Sequence, residues 1–202
     1  PVSFDQAVAE AAEKLKAAAA RGRVGVLVGA TVTNEEALLA ARIAEGALHS
    51  HADTSLGPVV RATKRALEQR LGTWRMAADM THIPGARAIV VIADDLEESH
   101  NVVSVRVKDA VVRGKARLIV IGALRSELVD FATVWLRPEG GEEGQLAAAL
   151  ADAVANPDGG GTELARAAGI LRDAARSETM VICAPNPVSP GIAGSMAAGA
   201  AN

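Results

Sequence analysis

Apolar residues follow two kinds of pattern along this chain, and both are clearest between residues 88 and 122. Residues 88–93 read AIVVIA and residues 117–122 read RLIVIG, which are short β-branched runs without a polar face. Such runs are typical of strands that are buried on both sides of a parallel sheet. The residues between them recur near helical spacing, with an apolar face and a charged face. The apolar face is Val102, Val105, Val107, Val111 and Val112, and the charged face is Arg106, Lys108, Asp109 and Arg113. The whole stretch predicts one right-handed crossover unit, with Gly114 as the left-handed cap of its helix.

The same patterns predict further elements on both sides of this unit. Helices are expected at five places, 3–21, 33–46, 58–71, 145–155 and 162–176. The first two begin with capping boxes, formed by Ser3 with Gln6 and by Thr33 with Glu36. Strands are expected at three places, 24–29, 133–136 and 179–184. The segments 72–85 and 185–202 are rich in turn-forming residues and are predicted to be irregular or loop.

The connections between the strands indicate how they are arranged. Most strands are joined to the next by at least one helix, which is the connection of parallel neighbours. The sequence therefore predicts an α/β fold, a three-layer, mostly parallel Rossmann-like sheet of about five strands with helices on both faces. Four of the strands are expected to lie parallel in that one sheet, 24–29, 88–93, 117–122 and 179–184.

Composition excludes several classes of function. The 202-residue chain has a net charge of −3 and 2% aromatic residues, so it lacks both the positive charge and the aromatic platform of a nucleic-acid-binding protein. No apolar run is long enough for a membrane-spanning helix. One cysteine excludes an internal disulfide or iron–sulfur cluster and fits a reducing cytoplasm. That cysteine, Cys183, lies in an apolar run and is interpreted as an inert core residue.

One polar stretch has residues that can bind a metal. His49, His51 and Asp53 alternate along the chain. Two histidines at i and i+2 with no further cluster usually face solvent, so no metal site is predicted, although the metal interpretation stays open.

Ligands of parallel α/β sheets bind beyond the carboxyl ends of the strands, which places the candidate site in residues 93–101 and 122–127. The first of these loops carries four carboxylates, on Asp94, Asp95, Glu97 and Glu98. They suit the positive end of a helix dipole and would repel an anionic ligand. A solvated helix cap is the favoured interpretation. A catalytic acid pair stays open, although no nucleophile or third partner accompanies it.

Three stretches, in the same order, resemble the molybdopterin oxidoreductase family, and in detail the large peripheral-arm subunit of NADH-quinone oxidoreductase (respiratory complex I). They are VGVLVGATVTNEEALLAARIA at 24–44, DMTHIPGARAIVVIADDLEESHNVVSVRVKDAVVRGKARLIVIGALRSEL at 79–128 and WLRPEGGEEGQLAAALADAV at 135–154. The resemblance implies iron–sulfur clusters elsewhere in a longer parent chain. Residues 1–202 are then a single α/β domain excised from that chain. Residues 185–202 are expected to be a tail that is poorly packed or crosses a surface that the intact protein covers.

In family members that hold a molybdopterin guanine dinucleotide, the loop equivalent to 93–101 reads like GSNPTEAHP. This chain keeps Glu98 and His100 of that loop. It departs from the pattern at four positions, Ala93, Asp94, Asp95 and Asn101.

The next two loops also depart from the family pattern. Gly122 stands where the family has an aspartate that contacts the nucleoside, although Arg125 remains. The family's RPGTD has become RPEGGEE, in which Glu142 or Glu143 is the possible replacement for the guanine-reading aspartate.

These departures predict a vestigial pocket that holds no cofactor, with no catalytic residue and no metal. Its residues are Gly29, Asn34, Ala93, Asp94, Asp95, Ser99, His100, Gly122, Arg125 and Glu142. The resemblance implies a structural domain that packs against other domains of its chain and other subunits of a respiratory complex. That complex lies at the cytoplasmic face of a membrane, and this domain does not insert into the membrane directly.

Two alternatives stay open. The first is a domain of a catalytic molybdenum enzyme that binds a molybdopterin guanine dinucleotide. The nucleotide end would then be lined by Gly29, Asn34, Ser99, His100, Arg125 and Glu142. The second is a nucleotide-binding module of the kind found in thiamine-diphosphate enzymes, which share the crossover topology.

Overall fold

A computed structural model describes residues 1–22, 24–29, 31–76, 78–157, 162–185 and 187–202. The chain falls into two compact units, Pro1–Pro58 and Val59–Asn202. The expectation of one domain excised from a longer chain stays a prediction. No helix in the described ranges is long and apolar enough to cross a bilayer.

The first unit is built from short elements that begin at local sequence signals. In chain order they are α1 (Phe4–Ala19), β1 (Val26–Val28), α2 (Asn34–Arg42), a π-helical turn (Ile43–Ala47) and β2 (Ala52–Thr54). Both predicted capping boxes are confirmed. The Ser3 hydroxyl accepts a hydrogen bond from the Gln6 N–H at 3.3 Å, and the Gln6 side chain accepts one from the Ser3 N–H at 3.0 Å. The second box, at the start of α2, has the same arrangement.

The strand predicted at 24–29 does not join the larger sheet. It forms β1, which pairs in parallel with β2 in a two-stranded sheet of its own. The prediction of one sheet holding all four main strands is therefore wrong for this strand. The sequence did not indicate β2 because Ala52–Thr54 is short and polar and lacks the apolar run by which the other strands were recognised.

The second unit contains the predicted crossover. The helix α3 (Gly57–Leu71) begins at the end of the first unit and continues into the second. The helices and strands that follow it are β3 (Ala88–Ile92), α4 (Leu96–Val112), β4 (Arg117–Ile121), β5 (Val134–Leu136), α5 (Glu143–Ala155), α6 (Glu163–Asp173), β6 (Thr179–Cys183) and α7 (Pro190–Ala200). In the described residues these strands form a parallel sheet in the order β5-β4-β3-β6. The predicted parallel pairing of 88–93 with 117–122 is confirmed, and the described part of the chain has four strands in this sheet where about five were expected.

Alternate residues of the central strands pack against two different sets of helices. Val90 and Ile121 face the cluster that contains residues of α5, α6 and α7. Ile89 and Leu118 face the cluster that contains residues of α4 and two 3₁₀ turns, Met80–Gly85 and Glu127–Phe131. Because both faces are covered, the strands need apolar side chains at every position. The three-layer arrangement is therefore confirmed in this unit.

The end of α4 differs from the prediction. The left-handed residue is Lys115, with φ of 60°, and not Gly114. Gly114 is required for another reason, since a Cβ there would lie 2.7 Å from the Ala110 carbonyl oxygen. A side chain at position 114 would therefore collide with the last turn of the helix.

The expectation of a loop over 185–202 is wrong for residues 190–200, which form α7. Its Met196 side chain is fully buried, and a Cβ on Gly199 would lie 2.2 Å from the Gly144 carbonyl oxygen of α5. The helix is built from alanine and glycine, whose apolar character shows no helical period, and it packs by close backbone approach. Residues 190–200 are therefore well packed, whereas Val188, which precedes the helix, is 84% exposed. The expectation that this segment crosses a surface covered in the intact protein stays a prediction.

Candidate functional site

The candidate site is the edge of the second unit's sheet at which the strands end. Because β3, β4, β5 and β6 are parallel, the segments that follow them leave the sheet at the same edge. Three of these segments contain predicted site residues.

The loop after β3 is used to start α4. The Asp95 carboxylate accepts a hydrogen bond from the Glu98 N–H at 3.0 Å, and the Ser99 hydroxyl donates to the Asp95 carbonyl at 2.7 Å. Asp95 is thus the N-cap of the helix. Its carboxylate accepts the hydrogen bond of the Glu98 N–H, which is one of the donors that a bound anion would need. Ala93 is buried and Asp94 is partly exposed.

His100 lies at a break in α4. Its φ of −146° and ψ of 58° are not helical, so the turn that begins at Leu96 is separated from the long part of the helix. The side chain of His100 is exposed. The sequence singled out this residue but did not indicate the break.

The loop after β4 is pressed against the loop after β3. A Cβ on Gly122 would lie 2.3 Å from the Ala93 carbonyl oxygen, so the two predicted site residues are in contact through their backbones. The Gly122 carbonyl accepts a hydrogen bond from the Trp135 indole at 3.0 Å, and the Ala123 carbonyl accepts one from Arg137 at 3.3 Å. The Arg137 guanidinium also lies 5.4 Å from the centre of the Trp135 ring. Two residues that the sequence analysis did not single out, Trp135 and Arg137, therefore hold this loop.

The charge of Arg125 is paired with a carboxylate five residues further along the chain. Its guanidinium forms an ion pair with the Asp130 carboxylate in the next 3₁₀ turn, and both side chains are exposed. The cation expected at the nucleotide end is thus already paired.

A polar cluster that the sequence analysis missed lies on the inner side of α4. The Lys108 ammonium lies 3.2 Å from the Glu97 carboxylate and 3.0 Å from that of Glu127, and the Ser104 hydroxyl donates to Glu97 at 3.0 Å. Lys108 was placed on the charged outer face, which is wrong, because only 18% of its side chain is exposed. Glu97, Ser104 and Lys108 are spaced by seven and four residues, which is the helical signal that would have revealed the cluster.

The protonation of Lys108 follows from these contacts. Burial acts to lower the pKa of its ammonium, but hydrogen bonds to Glu127 and Glu97 outweigh burial and raise that pKa above the ordinary value. The ammonium also lies 5.5 Å from the centre of the Phe131 ring. The cluster therefore ties the first turn of α4 to the 3₁₀ turn after β4.

The third segment places its two candidate glutamates differently. Glu142 is exposed and is the N-cap residue of α5 without a capping side-chain bond. Glu143 is 1% exposed, and one of its oxygens accepts a hydrogen bond from the Gly141 N–H at 3.2 Å. Its other oxygen is buried and has no hydrogen-bond partner in the described part of the chain. Of these two glutamates, Glu143 is therefore the buried one; Glu97 after β3 likewise has one buried oxygen without a hydrogen-bond partner in the described residues.

The remaining predicted residues lie in the first unit. Gly29 follows β1, and Asn34 is the first residue of α2, where both are exposed. The structure thus places Gly29 and Asn34 in the first unit and all the other predicted site residues in the second. Of those in the second unit, Ala93 and Gly122 are in contact. The others in the second unit are Asp94, Asp95, Ser99, His100, Arg125 and Glu142.

Other chemistry is limited in the described residues. No group of three or more His, Cys, Asp or Glu side chains is placed there to hold a metal ion. Burial raises the pKa of the Cys183 thiol to about 12, which agrees with its interpretation as an inert residue. An apolar cavity of about 450 Å³ lies between the sheet and α5, α6 and α7, and none of the predicted site residues lines it.

The chain is similar to known proteins both in sequence and in fold. The sequence profile of the family described as "Molybdopterin oxidoreductase" matches residues 1–156. The fold is similar to that of acetylene hydratase from Pelobacter acetylenicus, with a TM-score of 0.57 and 22% sequence identity over 77% of this chain. The matched part is 21% of that protein, so this chain spans about a fifth of its length. A comparison with curated protein sequences finds no match.

Proposed function

Because the chain belongs to the molybdopterin oxidoreductase family, we propose that it is a cofactor-free structural domain of the large subunit of an NADH-quinone oxidoreductase. In this role it packs against other domains of its chain and against other subunits. The iron–sulfur clusters of the parent protein lie outside this domain. The proposal gives the candidate site no chemical step.

The close approach of Gly122 to Ala93 is the observation that carries this proposal. A molybdopterin guanine dinucleotide needs a side chain in the loop after β4 to contact its nucleoside, as the resemblance implies. Any side chain at position 122 would place its Cβ 2.3 Å from a backbone oxygen. The residues present therefore do not fit the nucleoside unless the two loops move apart.

The charges near these loops argue in the same direction. A pyrophosphate is bound by backbone N–H groups and by cations. Here the N-terminus of α4 is capped by the Asp95 carboxylate, and Arg125 is paired with Asp130. Glu98 adds an exposed carboxylate to the first turn of α4, whereas the charge of Glu97 is paired with that of Lys108.

One observation favours the alternative of a guanine dinucleotide site. The second oxygen of Glu143 is buried without a hydrogen-bond partner in the described residues. An unpaired buried carboxylate oxygen can accept the N–H groups of a guanine, and leaving it unpaired costs about 1–3 kcal/mol. The alternative therefore depends on Glu143, whereas the exposed Glu142 gives it no support.

Calorimetric titration with GDP separates the two functions. We expect no heat of binding up to millimolar GDP with the 202-residue chain. The matched variants are Glu143→Gln, which replaces the buried carboxyl group by an amide, and Glu142→Gln, which makes the same change at the exposed neighbour. Micromolar binding that is lost in Glu143→Gln and kept in Glu142→Gln would overturn the cofactor-free proposal.

The assignment to a respiratory complex needs the parent protein. We expect the parent, purified from its host through a tag on its own gene, to contain iron and to support electron transfer from NADH to quinone. Elemental analysis is expected to find no molybdenum or tungsten. About one atom of either metal per chain would favour the catalytic molybdenum enzyme.

A further inference from the structure

A strongly basic surface covers α3 and the segment that follows it. Residues 59–76 hold five cations and one carboxylate, a net charge of +4 in a chain whose total is −3. The cations, all of them exposed, are Arg61, Lys64, Arg65, Arg70 and Arg75. We call residues 59–76 the basic surface. Its charge is opposite to that of the rest of the chain.

Large apolar side chains are exposed within the same surface. Leu71, Trp74 and Met76 are 49%, 51% and 60% exposed. Gly72, with φ of +70°, turns the chain at the end of α3. The Trp74 ring then lies 5.4 Å from the Lys64 ammonium. The turn therefore brings an apolar anchor alongside the cationic face of the helix.

A solvated helix face is the simplest interpretation of such cations, and the Lys64–Glu68 pair at 3.7 Å fits it. That interpretation does not account for the exposed apolar side chains beside them, which include Val60 as well as the three named above. Tryptophan, methionine and arginine are enriched in the buried centres of protein interfaces, and tryptophan and arginine dominate their binding energy. The combination indicates a surface that a partner covers.

We propose that the basic surface is a docking site for an acidic segment of another protein chain, with Trp74 as its apolar anchor. Charge complementarity selects the acidic partner, because the surface is positive in a protein that is otherwise negative. The proposal rests on the proposed structural role only in that such a domain needs a surface for its partners.

Two other classes of partner fit the surface less well. An amphipathic helix binds a membrane through its apolar face, but that face of α3 is buried within its own unit at Val59 and Ala66. Ala62 of the same helix lies 3.7 Å from the Cβ position of Gly194 in α7. A single-stranded nucleic acid needs several aromatic platforms, and the basic surface offers one.

A labelled synthetic peptide rich in glutamate and leucine tests the proposal with the 202-residue chain. Binding is measured by fluorescence anisotropy at physiological salt. The double variant Lys64→Glu, Arg65→Glu is expected to weaken binding about tenfold or more, because it reverses two charges in the surface. The matched control is Arg106→Glu, Arg113→Glu, which reverses two exposed charges on α4 and is expected to change binding less than about twofold.

The anchor is tested with Trp74→Ala against Phe4→Ala, an exposed aromatic residue of the first unit. Only the first change is expected to weaken binding, by about fivefold or more, since it removes a tryptophan at the interface. Far-UV circular dichroism checks that all variants are folded.

Several results would overturn the proposal. They are no binding of the peptide, equal binding of a peptide with glutamine in place of glutamate, and equal weakening by the control variants. Tighter binding of phosphatidylserine vesicles or of a single-stranded oligonucleotide would assign the surface to a membrane or to nucleic acid. GDP binding together with peptide binding would overturn the proposed function alone.

Discussion

Both compact units contain helices and parallel strands, but the residues of these elements are far less buried in the first unit than in the second. None of the residues of α1 and α2, all of which the structure describes, is buried. Leu27 of β1 is 73% exposed, whereas every residue of β3 is buried. The first unit therefore depends on helix caps and local propensity, and the second on burial of a sheet between helices. Sequence signals of local structure are thus no measure of how much a segment contributes to stability.

The largest expected effect comes from truncating one strand side chain in each unit and comparing the losses of stability. Ile119 of β4 is fully buried, so Ile119→Ala is expected to lower the free energy of unfolding of the second unit by about 2–5 kcal/mol. Leu27→Ala in β1 is expected to change stability by less than about 0.5 kcal/mol, because that side chain is already in water.

Urea denaturation measures the two changes separately. Both tryptophans, Trp74 and Trp135, lie in the second unit, so their fluorescence reports its unfolding. Far-UV circular dichroism reports the helices of both units. Equal losses for the two variants would contradict the comparison of the units.

The next effect concerns the contact between α5 and α7. A Cβ on Gly199 would lie 2.2 Å from the Gly144 carbonyl oxygen, so Gly199→Ala is expected to destabilise the second unit by about 1–3 kcal/mol. Gly169 of α6 is the matched control, because the nearest atom to its Cβ position is 4.0 Å away, on a flexible arginine. Gly169→Ala is expected to stabilise by up to about 1 kcal/mol through helix propensity. Tryptophan fluorescence in urea measures both, and an unchanged Gly199→Ala would show that α7 does not pack as described.

The elements that could be predicted are those whose signal is local. Residues 88–92 and 118–121 are continuous apolar runs, and the capping boxes of α1 and α2 are formed by residues only three apart. The short strand β2 could not be predicted, because its pairing with β1 is a contact between distant residues. The helix α7 could not be predicted either, because its small residues are explained by the close packing of Gly199 against Gly144 of α5.

The loops of the candidate site follow the predicted parallel strands, but their contacts were not predicted. The rule that ligands bind beyond the carboxyl ends of parallel strands predicted which loops to consider. Gly122 was recognised there as a departure from the family pattern. The reason for that glycine is the nearby Ala93 carbonyl, which lies 29 residues away in the sequence. The Glu97–Lys108 pair has a local signal, because both residues lie in α4, but it was missed because Lys108 was placed on the charged face of that helix. The Gly122 contact, in contrast, is a tertiary contact that no single segment encodes.

A smaller effect compares one ion pair from each unit. Lys108 is paired with Glu97 and Glu127 and is mostly buried, so Lys108→Met is expected to cost about 1–2 kcal/mol by leaving two carboxylates without their cation. Lys14 is paired with Glu10, but its side chain is 75% exposed, so Lys14→Met is expected to change nothing measurable. Urea denaturation at pH 7 measures both.

The pH dependence sharpens this comparison. The pKa of Lys108 is raised in the folded chain, so its contribution is fully present below the pKa of an unfolded lysine, about 10.4, and is lost as pH rises through the folded pKa. The stability difference between the wild type and Lys108→Met is therefore expected to be constant from pH 7 to about 9 and to shrink above about 10.4. A difference that grows with pH would contradict the assigned pairing.

The smallest effect is the loss of a helix cap in the first unit. The Thr33 hydroxyl accepts a hydrogen bond from the Glu36 N–H at 3.2 Å, and the Glu36 side chain accepts one from the Thr33 N–H at 2.7 Å. The helix that they begin, α2, has nine residues, fewer than the roughly 12–15 that an isolated helix needs, and none of them is buried. Thr33→Ala is therefore expected to cost about 1 kcal/mol and to reduce the far-UV helical signal, while Thr33→Ser keeps the hydroxyl and the signal. The urea transition seen by tryptophan fluorescence is expected to stay in place for both variants, because both tryptophans belong to the second unit. A shift of that transition in Thr33→Ala would mean that the second unit draws stability from the first.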